Sequence, residues 1–215
     1  MPGAPRKNHL IFGFGVNDST EANSKHEFID GKSVMVSRCK VYETWVQMLR
    51  RCYSEAALKK KPSYRGCFVC EEWKYFSNFK AWMETQDWEG KHLDKDLLVF
   101  GNKEYGPEKC LFINPKLNSF ITETKINKGE YATGVCKKWN KHYPNYTRFE
   151  TYCGDPISGK RIQIGTFKTE SEARIAYLAQ KLKVAKSLGG LESDVRVVKA
   201  LIERIQGFIV EFMST

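Results

Sequence analysis

Two groups of residues in this chain have the types and spacing that chemistry needs. Cys67 and Cys70 stand two residues apart, the spacing of a zinc knuckle, and Cys52 and Cys110 complete a set of four thiolates for a tetrahedral Zn2+ at about 2.3 Å. That second pair lacks close spacing, so four buried free thiols account for the pattern equally well. His92 and Asp94 lie two residues apart in a strand-like run, which puts both on one strand face.

Positioning these groups requires a core, and the apolar periodicity supplies one. Val41, Trp45, Met48, Leu49 and Cys52 recur at helical spacing over 41–53, with Arg50 and Arg51 in the last turn. Trp73, Phe76, Phe79, Lys80 and Trp82-Met83 predict a second amphipathic helix whose aromatic stripe is core. Leu93–Phe100 and Cys110–Ile113 read as two short strands around a loop carrying Gly101-Asn102 and Tyr105-Gly106-Pro107, and a helix starts at Pro115. A polar, basic connection over 123–130 leads to Thr133–Trp139, Tyr146–Cys153 and Arg161–Phe167, which predict a three-stranded antiparallel sheet. Thr169 and Glu172 form a capping-box pair opening a helix that ends before Gly189-Gly190. The last helix, Asp194–Phe212, carries Val198, Leu201, Ile202, Ile205, Ile209 and Phe212 on one face. Residues 1–37 read as an irregular arm with one hairpin at Asp30-Gly31. The expected class is α+β, divided at 1–40, 41–122, 131–188 and 191–215.

A chain of 215 residues, 41% of them hydrophobic, can bury a real core, which argues against a disordered or fibrous protein. Its formal charge of +10 points to a polyanionic partner, nucleic acid ahead of an anionic membrane. Residues 1–120 hold 19 basic and 15 acidic side chains, 121–188 hold 13 and 6, and 189–215 hold 3 and 4, so the predicted sheet is the electrostatic footprint. No run approaches the roughly 18 apolar residues that span a bilayer, and no secretory leader is evident, so a cytoplasmic protein without a membrane partner is expected. Seven cysteines, an odd number, argue for reduced thiols or metal ligands over a disulfide framework.

Over residues 41–120 the elements Trp45, Met48, Arg51-Cys52-Tyr53, Tyr64, Gly66-Cys67, Val69-Cys70, Trp73, Phe76, Phe79, Leu93–Asp96, Tyr105-Gly106-Pro107, Cys110 and Asn118 occur in order. This segment resembles a phage-associated family of HNH endonucleases, homing-endonuclease-like proteins with a ββα-metal motif. The resemblance implies that Asp94 and Asn118 hold one Mg2+ or Mn2+, which stabilises the leaving 3′ oxygen of a phosphodiester while a base activates water. The family's usual histidine after the first carboxylate is Lys95 here. A protonated lysine holds a phosphate and does not readily take a proton. That leaves Tyr105 as the implied proton acceptor or water-positioning group, with His92 as the alternative base. A surface ion pair for Asp94 and Lys95, and a helix-terminal hydrogen bond for Asn118, are the plain alternatives.

Over 131–187, Tyr131 to Val135, Arg161, Ile164-Gly165-Thr166-Phe167, Thr169, Glu172-Ala173 and Ala176-Tyr177 resemble the AP2 DNA-binding domain. The resemblance implies that a helix buries one sheet face while the other enters the major groove of double-stranded DNA, with Lys137, Trp139, Arg148, Glu150, Lys160 and Arg161 as the DNA-contacting candidates. By alternation Lys137 and Trp139 share one face, as do Arg148 and Glu150. The leading expectation is a metal-dependent DNA endonuclease. The alternatives are a catalytically inactive DNA-binding protein of the same fold and a factor that binds a host protein. The C-terminal apolar stripe packs internally or pairs two copies in a homodimer.

Overall fold

The computed structural model describes residues 10–122, 130–139, 142, 147–188, 192 and 194–214. Parts of the expected connection at 123–130, together with Tyr146 and Gly189-Gly190, lie outside the described residues. The architecture is mixed α+β. In chain order the elements are β1 (Ser24–Ile29), β2 (Lys32–Arg38), α1 (Lys40–Tyr53), α2 (Glu55–Lys60), β3 (Phe68–Val69), α3 (Phe76–Glu84), β4 (His92–Asp94), β5 (Glu104–Tyr105) and β6 (Leu111–Ile113). They continue with α4 (Pro115–Thr122), β7 (Val135–Lys138), β8 (Arg148–Gly154), β9 (Arg161–Phe167), α5 (Glu170–Ser187) and α6 (Val195–Met213). Among the described residues no helix is long and apolar enough to cross a membrane.

The chain divides into two compact units, Met1–Glu89 with Leu93–Phe112, and Gly90–His92 with Ile113–Thr215. In the first, the apolar stripe of α1 meets the aromatic face of α3, and Trp45, Leu49, Trp73 and Phe79 are fully buried. The Trp45 indole donates to the Trp73 carbonyl at 2.8 Å, so the polar edge of a buried ring is satisfied inside the core. Gly15 belongs to this packing: a Cβ there would stand 2.3 Å from Leu49 Cδ1, so no larger residue fits beside α1. β3 pairs in parallel with β5, fixing the Cys67–Cys70 segment against Glu104-Tyr105.

The strand expected over Leu93–Phe100 is only three residues long, His92–Asp94, and pairs with β6. The reason is local. Asp94 Oδ1 accepts from the backbone N–H groups of Asp96 at 2.8 Å and Leu97 at 2.7 Å, which turns the chain out of extended geometry.

In the second unit, β7, β8 and β9 form an antiparallel sheet in sequence order, and α5 packs across it. The capping box at Thr169 and Glu172 starts α5, with both reciprocal bonds made. Ala173, Tyr177 and Leu178 are buried. Gly134 has φ +85° and lies under Tyr177, where a Cβ would come within 2.3 Å of the ring, so both conformation and contact demand glycine. α6 packs on α5 and buries Val197, Ala200, Leu201 and Ile205. Lys181, fully buried on α5, donates to the Phe120 carbonyl of α4 and so satisfies an end of that helix.

Candidate nucleic-acid interface

The register of the sheet determines which side chains share its open face. Thr151 and Cys153 are fully buried and therefore face α5, so Arg148, Glu150 and Tyr152 face away. β7 aligns Cys136 with Glu150 and Lys138 with Arg148, while Lys137 stands opposite Phe149 on the helix side. The expected partnership of Lys137 with the open face is thus corrected by one residue: Lys138 is the cation there. A regular alternation starting from apolar Val135 already places Lys137 with Val135, so the signal was present in the sequence. On β9, Thr166 aligns with Glu150 and Gln163 with Tyr152, across a register shift after Thr151.

These residues form a connected polar surface. Lys138 Nζ lies 2.7 Å from Glu150 Oε1, and the Tyr152 hydroxyl donates to Glu150 Oε2 at 3.2 Å. The Arg161 guanidinium stacks over the Tyr152 ring at 4.3 Å. The hydrogen bond from Lys138 holds the Glu150 carboxyl below its ordinary pKa, and the same bond raises that of Lys138. At neutral pH the ionised Glu150 carboxylate therefore shares this face with Lys138, Arg148 and Arg161. Trp139, just past β7, is 72% exposed, and Lys160 is exposed in the β8–β9 turn, where Asp155 accepts from Ile157 and Ser158. Cations beside an aromatic ring, here Arg161 over Tyr152, on one side of a sheet suit contact with phosphates and bases. Sequence reasoning missed Lys138 and Tyr152.

The residues singled out in the first unit are arranged differently. On β4, Leu93 is buried, His92 is exposed and Asp94 is half-buried, so His92 and Asp94 both point away from the Leu93 side. Lys95 is 5% exposed and donates to Asp96 Oδ1 at 2.9 Å and to the Asn102 carbonyl at 2.6 Å. The Asn102 amide in turn donates to the carbonyls of Lys95 and Glu104, tying the loop shut. Burial pulls the Lys95 pKa down, but the hydrogen bond and charge of Asp96 outweigh it, and the ammonium stays protonated. Lys95 therefore neither reaches a phosphate nor accepts a proton. The ion pair that it makes is with Asp96 and is largely enclosed, not a surface pair with Asp94.

Tyr105 is 1% exposed in the same core. Burial drives its pKa far above the ordinary phenol value, and its hydrogen bond to Arg51 offsets this only in part. It cannot serve as a proton acceptor from that position. Asn118 sits half-buried in α4 in the second unit, and its backbone N–H donates to the Asn114 carbonyl. Asn114 itself caps that helix by accepting from the Lys116 N–H at 2.9 Å.

The donor chemistry of Asp94 suits a hard divalent cation. Its Oδ1 is oriented by two backbone N–H groups, and Oδ2 takes no part in those bonds. Cys52, Cys67 and Cys110 are buried in the aromatic core with Cys70 packed against them, and among the described residues no group of three or more His, Cys, Asp or Glu is arranged to hold a metal. Burial pushes the Cys52 thiol up to about 12 and raises Cys70 and Cys110 as well, so with no metal bound these thiols are neutral. Compared with family models, with curated proteins and with solved structures, the chain matches none.

Proposed function

We propose that this protein binds double-stranded DNA on the open face of the β7–β8–β9 sheet and, as an HNH-like endonuclease, hydrolyses a phosphodiester at Asp94. The observation that carries the reading is the one-sided sheet: α5 covers one face, and Lys138, Arg148 and Arg161 surround Glu150 and Tyr152 on the other. In this reading the sheet is an AP2-like module. Its cations displace counterions from the DNA backbone, and Glu150 keeps phosphates from the centre of the face.

At the proposed hydrolytic site a bound Mg2+ or Mn2+ would supply Lewis-acid stabilisation of the leaving oxygen. Asp94 would hold it, its carboxylate preset by the turn at Asp96 and Leu97. With Lys95 and Tyr105 enclosed, His92 is the exposed group on that strand able to take a proton from water. Supercoiled plasmid incubated with the protein and Mg2+ or Mn2+ tests this. Nicking that disappears in Asp94→Ala and falls about 10²–10⁴-fold in His92→Ala supports it. Absence of nicking by the wild type removes the enzymatic part.

One observation favours a second reading, a catalytically silent DNA-binding protein of the same kind. The residue at the family's base position, Lys95, is an enclosed cation that fastens the loop. This reading predicts binding that survives EDTA and Asp94→Ala and weakens in Arg148→Ala or Arg161→Ala.

A further inference from the structure

The β1–β2 ribbon is regular in pairing yet almost wholly exposed. Asp30 and Gly31, with φ of 51° and 75°, form the turn expected there, and Ser24 through Arg38 pair around it. Every residue of β2 is exposed, and Phe28, Val34, Met35 and Val36 are 81%, 41%, 52% and 43% exposed. Among the described residues no third strand pairs with either edge. A two-stranded ribbon of this kind has marginal stability alone, and an open strand edge with an uncharged centre, Ser33 to Ser37, is a template for another strand.

The sequence of β2 indicates which strand. Reading outward from Met35, Val34 matches Val36, Ser33 matches Ser37, and Lys32 matches Arg38 in charge. A strand with this symmetry complements itself when two copies run antiparallel about Met35: valine meets valine, serine meets serine, and only the ends bring like charges together. β1 has no such symmetry. The ribbon register adds to this, because β1 passes from Lys25 opposite Ser37 to His26 opposite Met35 and skips Val36.

We infer that β2 is a homodimer edge, pairing antiparallel with β2 of a second copy about Met35 to give a four-stranded sheet in the order β1, β2, β2, β1. DNA is the weaker occupant, since Lys25, Lys32 and Arg38 are offset by Glu27 and Asp30 and the centre of β2, Val34 to Val36, is apolar. The like charges at the ends give the pairing a signature: it tightens with salt by about two- to five-fold between 50 and 500 mM, whereas DNA binding weakens.

Sedimentation equilibrium of the full chain over 1–100 µM tests the inference, with circular dichroism to verify folding. The wild type is expected at twice 24.8 kDa. Val34→Lys with Val36→Lys sets lysine opposite lysine and is expected to give a monomer. Val34→Glu with Val36→Lys sets opposite charges against each other and is expected to restore the dimer. A monomeric wild type, a dimer indifferent to the Lys/Lys change, or a Lys/Lys monomer that the Glu/Lys pair fails to restore would each overturn the edge pairing. A rise of DNA affinity in Lys/Lys with no change of mass would make the ribbon a nucleic-acid contact instead.

Discussion

The loop after β4 and the open face of the β7–β9 sheet each bring charged residues together, and they use them in opposite ways. Around Lys95 the charge is enclosed: the ammonium is held by Asp96 and Asn102 and serves to close a loop over an aromatic core. On the sheet, Lys138 pairs with Glu150 and Arg161 stacks on Tyr152, but on the face turned away from α5. The difference teaches that residue type and spacing nominate a group for chemistry, while enclosure decides whether it is used for stability or recognition.

The contrast can be broken at either end. The largest effect is expected at Lys95. Lys95→Ala leaves the Asn102 carbonyl and Asp96 without their cation, costing about 2–3 kcal/mol after allowing for the partial exposure of Asp96. Urea unfolding measures this, and DNA affinity should stay within twofold. An unchanged midpoint combined with lost cleavage would return Lys95 to the chemistry.

Gly134→Ala comes next. It drives a methyl group into the Tyr177 ring at a left-handed backbone position, for about 2 kcal/mol, and weakens DNA binding because the sheet no longer seats on α5. Thermal unfolding with a parallel binding titration would show both losses together. Stability lost without affinity would separate the face from the packing beneath it.

The smallest effect is a pH dependence. The Glu150 pKa is lowered in the folded state, so its contribution is complete above the unfolded carboxylate pKa and is lost as pH falls through the folded value. Unfolding midpoints of wild type and Glu150→Gln should therefore differ at neutral pH and converge in acid. Convergence on raising the pH instead would contradict the Lys138–Glu150 pairing.

Much of this frame was legible in the sequence because the periodicities were strong. Trp45 to Cys52 on α1, the Thr169–Glu172 box and the run Arg161–Phe167 each carry a signal that no tertiary contact reverses. The strand over Leu93–Phe100 was overdrawn because one side chain, Asp94, captures two backbone donors and ends it. Enclosure of Tyr105 involves Arg51, far away in the chain, while that of Lys95 rests on the Asn102 carbonyl in the loop, and no periodic pattern reports either. The shift from Lys137 to Lys138 arose because Cys136-Lys137-Lys138 has no apolar alternation of its own, so the phase of β7 rests on Val135 alone.

Equilibrium binding of a duplex, followed by fluorescence anisotropy from 50 to 300 mM salt, addresses the sheet face most directly. The slope of log affinity against log salt should fall by about one in each of Arg148→Ala and Arg161→Ala, and by about two in the double variant. Equal slopes for the wild type and the double variant, with both folded, would contradict the assignment of that face to DNA.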